Sequence, residues 1–177
     1  MSKYNDYLYL ACKKGHLDIV KLMLKKGADV NYINRKITDC DCGYSCLSIS
    51  ISSKNIQIVK LLLNQPTIDI NYRRQSSSRT PLMIACWEGT ISCVKLLLSH
   101  KNIDLDLRAE DYQNYKCGKT ALMYAILSKR IECAKLLIQS GCDVNINNSI
   151  GETAHDLALK YELNEIIKMI DNLNKHA

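Results

Sequence analysis

Long apolar runs are missing from this chain. Stretches such as Ile58–Leu63 extend for only about six residues, far below the roughly 20 that span a bilayer. The amino terminus, MSKYNDYLYLACKKGHLD, has no continuous apolar segment and is charged throughout, so no secretory signal is expected. Residence in the cytoplasm or nucleus, in a reducing compartment and not outside the cell, follows as an expectation. Catalytic signatures are missing too: there is no G-x-G-x-x-G, no phosphate-binding loop and no paired-carboxylate motif. Of the four histidines, His16, His100, His155 and His176, none stands beside a cysteine or serine in a nucleophile–base arrangement. A non-catalytic protein without a cofactor is expected. The remaining composition, 47% hydrophobic and 24% charged, is that of an ordinary folded domain. The net charge of +6 is modest and scattered, which makes direct nucleic-acid binding a minor reading.

What is present is a phrase that recurs about every 33 residues. It reads DIVKLML at Asp18–Leu24, QIVKLLL at Gln57–Leu63, SCVKLLL at Ser92–Leu98 and ECAKLLI at Glu132–Ile138, with a weaker EIIKMID at Glu165–Asp171. Leu8, Leu47, Leu82, Leu122 and His155 mark one slot in five successive units, separated by 39, 35, 40 and 33 residues. Repetition on this scale marks a solenoid of stacked supersecondary units. A single array over residues 1–177 is expected, with repeats near 4–34, 35–73, 74–108, 109–147 and 148–177.

Each unit reads as two short helices and an extended turn. In the third, Thr80 is a good N-cap and Pro81 fits the first helical turn. Leu82, Ala85 and Cys86 follow on one face, and Gly89 supplies a left-handed stop. Ile91, Val94, Leu97 and Leu98 are expected to be the buried stripe of the second helix. Polar termini are expected to cap the array, with Ser2, Lys3, Asn5 and Asp6 at one end. At the other, Ile166, Ile167 and Ile170 face inward, with Glu165, Lys168 and Asp171 outward.

The nine cysteines are an odd number, and most fall where the repeat wants a small apolar residue. Cys12 and Cys86 share one slot, and Cys93 and Cys133 share another used elsewhere by Ile19, Ile58 and Ile166. Structural thiols are therefore expected rather than disulfides. Cys40, Cys42 and Cys46 make only three metal-capable ligands, and Cys117 would stand about 20 Å away at a stacking step of roughly 10 Å. No metal site is expected, since structural zinc needs four ligands.

The repeated unit resembles the ankyrin repeat. Ala11-Cys12-Lys13-Lys14-Gly15-His16-Leu17-Asp18-Ile19-Val20 with Gly27-Ala28-Asp29-Val30-Asn31 follows that family's phrase closely, as do Gly118-Lys119-Thr120-Ala121-Leu122 and Gly141-Cys142-Asp143-Val144-Asn145. The resemblance runs from Tyr4 to about Ile170 and implies an all-α solenoid of helix-turn-helix units joined by β-hairpin loops. The sequence also departs from the family pattern. Tyr9, Ser48, Met83, Met123 and Asp156 replace its histidine, Ser45-Cys46 replaces Thr-Pro in the second unit, and Lys54, Lys129 and Glu162 stand where Gly15 and Gly89 end their helices. Left-handed non-glycine residues cost roughly 1 kcal/mol each, so units two, four and five are expected to be locally weaker than unit three.

For function the resemblance implies protein binding on the concave wall made by the hairpins and first helices. Carried over by slot, the candidate partner-binding residues are Tyr44, Arg79 and Lys119, together with Ser52-Ser53, Trp87-Glu88 and Leu127-Ser128. Trp87, the only tryptophan, and Leu127 share a slot on adjacent units. An exposed aromatic there would be a binding anchor. The alternative is that Trp87 packs against the insertion Arg108–Cys117, which with Arg35–Cys42 lengthens the hairpins. Arg35, Lys36, Arg73, Arg74, Arg79, Arg108, Lys116 and Lys119 gather near hairpin ends. They suggest a protein partner with an acidic segment or, alternatively, RNA or another anionic surface. A monomeric adaptor, scaffold or competitor is the implied role. Absent phenylalanine and richness in Asn, Ile, Lys and Tyr resemble ankyrin proteins of large DNA viruses of protists, which would make the partner a host protein; an AT-rich protist or an intracellular bacterium could carry the same bias. Asn31, Asn71 and Asn145 occupy slots that the family resemblance marks for hydroxylation.

Overall fold

The computed structural model describes residues 3–35, 43–74, 78–110 and 118–176. Among them lie ten α-helices and no strand. The first helices of the units are α1 (Asn5–Lys14), α3 (Cys46–Ser52), α5 (Pro81–Glu88), α7 (Ala121–Leu127) and α9 (Ala154–Lys160). The second helices are α2 (Leu17–Lys25), α4 (Ile56–Leu63), α6 (Ile91–Leu98), α8 (Ile131–Gln139) and α10 (Asn164–His176). Each first helix packs on the second of its own unit and on the first helix of the next, and the second helices pack on one another in the same order. The result is a two-layer, all-α solenoid.

Local chemistry explains where the inner layer begins. Ser45, Thr80, Thr120 and Thr153 sit in extended conformation, and their hydroxyls accept from the backbone N–H three residues on. That satisfies one of the donors each helix start leaves open, and Ser45 does so as well as threonine. Gly15 and Gly89 stop α1 and α5 at φ 78° and 70°. A Cβ on either would come within 2.7 Å of a side chain from the next unit, Asn55 or Arg130. Those side chains reach back to the helix-end carbonyls of Cys12 and Trp87. Lys54, Lys129 and Glu162 adopt the same left-handed region at φ 58°, 55° and 57°, the strained conformation their slot demands.

The core runs the length of the array. Val20, Val59, Val94 and Ala134 are all 0% exposed, so neighbouring helix pairs bury each other's apolar faces. Ile91 corrects the expected stripe: it is 40% exposed, while Cys93 at 0% takes the inward position. Ile91 is the first residue of α6, and side chains lean toward a helix's N-terminus, which carries it past the contact. Ile56, first in α4, is exposed for the same reason.

Cys12, Cys46, Cys86, Cys93, Cys133 and Cys142 are buried free thiols, and burial pushes the Cys86 thiol well up. Cys46 opens α3, and its thiol donates to the Tyr32 carbonyl. Cys40, Cys42 and Cys117 lie outside the described residues.

The amino-terminal end differs from the expected polar cap. Asn5 is buried, and its side-chain oxygen accepts from the Asp29 N–H at 2.9 Å. Tyr7, Leu10, Ile19 and Leu22 are exposed on the first unit. At the other end Ile166 and Ile170 are buried as expected, Ile167 is half-buried, and Glu165 and Lys168 face water.

A ladder of polar side chains joins the hairpins. Within each, Asp29, Asp69, Asp104 and Asp143 accept from the N–H two residues on. Between hairpins, Asn31 accepts from Asp69 N–H and donates to the Thr67 carbonyl. Asn71 does the same to Asp104 and Asn102. The next rung is Asp106, which accepts from Asp143 N–H at 2.9 Å but, as a carboxylate, has no proton to donate. Burial, with Asp143 and Asp104 nearby, raises its pKa despite that bond.

Candidate functional site

Three side chains meet on the first-helix layer where units three and four join. Arg79 leaves the hairpin one residue before the Thr80 cap, and its carbonyl accepts from Arg74 N–H at 3.1 Å. The hairpin thereby fixes where the guanidinium starts. Trp87 comes from the last turn of α5 and is 41% exposed. Tyr124 comes from the middle of α7 and is only 7% exposed. The two rings meet edge to face, centroids 6.1 Å apart at 85°. The Arg79 guanidinium stands 5.4 Å from the Trp87 ring centre and 4.8 Å from that of Tyr124. Its Nε donates to the Tyr124 hydroxyl at 3.2 Å. A cation held between two aromatic faces gains electrostatically from both rings, and the hydrogen bond fixes the plane.

The other candidates have varied surroundings. Ser128 turns its hydroxyl back onto the Tyr124 carbonyl at 2.7 Å and toward Cys86 of the preceding helix at 3.5 Å, so it ties α7 to α5. Leu127 is half-buried against the core, and the ring contact of Trp87 is with Tyr124, one turn earlier than the shared slot suggested. Glu88, Ser52 and Ser53 are half-buried, and Ser53 ends α3 with its N–H bonded to the Ile49 carbonyl. Lys119 pairs its backbone with Ala109, joining the two arms of its hairpin. Tyr44 belongs to a separate stack, its ring 4.4 Å from the Arg74 guanidinium. Most of the insertion proposed to cover Trp87, residues 111–117, lies outside the described residues, as do Lys36 and Lys116.

The basic hairpin ends are partly engaged within the protein. Arg73 donates to the Arg108 carbonyl and pairs with Glu110 at 3.7 Å. In unit five, Glu152 takes a bond from Asn148 at 3.0 Å and pairs with Lys160 at 3.2 Å, and these hold its carboxyl below the usual range. The Asn31 and Asn71 carboxamides are tied into the ladder. The outer layer carries a shallow cleft of about 360 Å³ between Lys60, Leu63, Asn64, Leu96, Ser99 and His100, away from the aromatic group. Among the described residues no group of three His, Cys, Asp or Glu side chains is set to hold a metal, and no helix is long and apolar enough to cross a membrane.

Slot reasoning named Arg79 and Trp87 as candidates but not Tyr124, which the structure brings against both. Its slot holds Leu10, Ile49 and Ile84 in earlier units, so it read as core. The available signal was that it is the one aromatic among them, with a hydroxyl that needs a partner when buried.

A family model described as ankyrin repeats matches three times, over residues 8–109, 67–148 and 107–175. A tyrosine-protein kinase of Hydra vulgaris is 28% identical over 93% of this chain and 20% of its own length. A protein of Oryza sativa subsp. japonica that bears the name of an E3 ubiquitin-protein ligase is 39% identical over 85% of this chain and 34% of its own length. An ankyrin repeat protein of fowlpox virus is 30% identical over 94% of this chain and 47% of its own length. The chain thus spans less than half the length of each of these relatives, viral and non-viral alike.

Proposed function

The chain belongs to the ankyrin repeat family, and from that premise we propose that it is a non-catalytic module binding a protein partner on its inner wall, centred on Trp87. Ankyrin repeats are generally protein–protein interaction modules, which gives the coarse function; the partner, the face and the role as adaptor, scaffold or competitor are the proposal. One observation carries it. The single tryptophan is 41% exposed on the inner layer, next to a stacked arginine, whereas internal positions of the same helix are buried. Half-exposed Trp and Arg together are the side chains most often found at the energetic centre of an interface. Stacking also lowers the entropy lost when a partner fixes them.

An acidic segment is the proposed partner chemistry, because Arg79, Arg74 and Lys119 gather near hairpin ends. Six buried free thiols support a reducing compartment, hence a cytoplasmic or nuclear setting, within a host cell if the protein is viral. A monomer is the proposed state.

The test compares two substitutions against one captured and purified partner. Trp87→Ala should weaken binding by more than about 1 kcal/mol, and Lys168→Ala on the solvent side of α10 should leave it unchanged. Equal effects would remove the inner wall as the binding face.

A further inference from the structure

We propose that Arg79 is a carboxylate fork: it takes one aspartate or glutamate side chain of the protein partner, with a neighbouring apolar side chain of that partner lying on Trp87. The inference rests on the reading of this wall as the binding face and names the group the face recognises.

A guanidinium presents five N–H donors in one plane. In Arg79 the Nε donor is engaged by the Tyr124 hydroxyl at 3.2 Å, and the rings of Trp87 and Tyr124 stand at 5.4 and 4.8 Å. The terminal Nη edge has no carboxylate partner among the described residues, although the cationic side chains of Arg73, Lys135 and Lys160 do. Among the described residues this arginine is positioned by aromatic groups rather than neutralised by an acid. Its remaining donors match the two oxygens of a carboxylate. Because the side chain is already held, little rotamer freedom is lost on binding. Trp87 contributes one flank of the stack and, being 41% exposed, an apolar seat beside the fork. Tyr124 is a positioning residue that acts through Arg79.

The surroundings favour a single carboxylate over a phosphate. One fork is present, the Met83 N–H at the start of α5 is already taken by the Thr80 hydroxyl, and Glu88 follows Trp87 directly in sequence. A dianion would meet that negative charge with less compensation.

A displayed random-peptide library selected on the intact chain supplies the probe. An enriched peptide should carry an Asp or Glu beside a large apolar residue. Its Glu→Gln twin should bind wild type about tenfold or more weakly, and Arg79→Gln less than about twofold more weakly; the lost discrimination is the coupling a double-mutant cycle isolates. Arg79→Lys should not restore it, because an ammonium lacks the planar fork and the stacking. Tyr124→Phe keeps the ring and should narrow the Glu-over-Gln ratio while circular dichroism stays that of wild type.

The proposal is overturned if the library shows no acidic position or if the ratio survives in Arg79→Gln. It is equally overturned if a phosphoserine peptide binds tenfold tighter than the glutamate peptide through Arg79, or if polyuridylate competes the peptide away. Binding lost in Trp87→Ala but unaffected by Arg79→Gln would remove the fork and leave the wall standing as the binding face. Binding indifferent to both would remove the wall as well.

Discussion

Units three and four share a plan, and three of the places where they differ bear on strain and function. Unit three has Ile84 in the middle of its first helix, Gly89 at its end and an asparagine, Asn71, reaching into its hairpin. At the corresponding points unit four has Tyr124 and Lys129, and Asp106 of unit three reaches into its hairpin. One change builds something and two carry a cost. Tyr124 lays a ring and a hydroxyl against Arg79 of the preceding unit. Lys129 occupies a left-handed conformation at φ 55° that glycine takes freely. Asp106 fills a rung of the hairpin ladder where Asn31 and Asn71 both accept and donate, and it can only accept. In a repeat protein the shared pattern holds the array together, and departures from it mark strain or function.

The largest effect expected from this comparison is in the core. Leu82 and Leu122 occupy one slot in the two units and are each 1% exposed. Substitution of either by alanine should lower stability by about 2–5 kcal/mol, read from the urea midpoint. Similar losses would show that the departures of unit four leave its packing intact, and a much smaller loss at Leu122 would show a looser unit.

A smaller effect is expected at the rung. Asp106→Asn should raise stability by about 0.5–1.5 kcal/mol, the worth of one added hydrogen bond, without moving the urea slope. The pH dependence has a definite sign. A carboxyl whose pKa is raised by folding favours the folded state when protonated. Its stabilising contribution is present below the ordinary carboxylate range and is lost as pH rises through the raised value. Wild type and Asp106→Asn should therefore be closest in acid and diverge as pH rises. A gap that widens in acid would contradict the assignment.

These residues also show how far the sequence can be read. The solenoid was legible because its period recurs through five units while the hydroxyl caps Ser45, Thr80, Thr120 and Thr153 and the inward Val20, Val59, Val94 and Ala134 recur in register, and repetition averages out local exceptions. Arg79 and Trp87 could be named as candidates because the repeat fixes their slots whatever residue fills them. Tyr124 was not, because a mid-helix slot filled elsewhere by Leu and Ile carries no mark of a neighbour's arginine. The meaning of Asp106 was hidden for another reason: Asp and Asn serve equally in the turn, and only the pairing between hairpins distinguishes an acceptor from an acceptor–donor. The polar amino terminus was read as a solvated cap, yet Asn5 folds inward to satisfy the Asp29 N–H, a contact 24 residues away in sequence that no local pattern signals.

A polypeptide partner is proposed to cover Trp87. Because that residue is the chain's only tryptophan, its fluorescence reports on the wall directly. Acrylamide should quench it in the free protein and much less once the partner is bound. Equal quenching, free and bound, would contradict the claim.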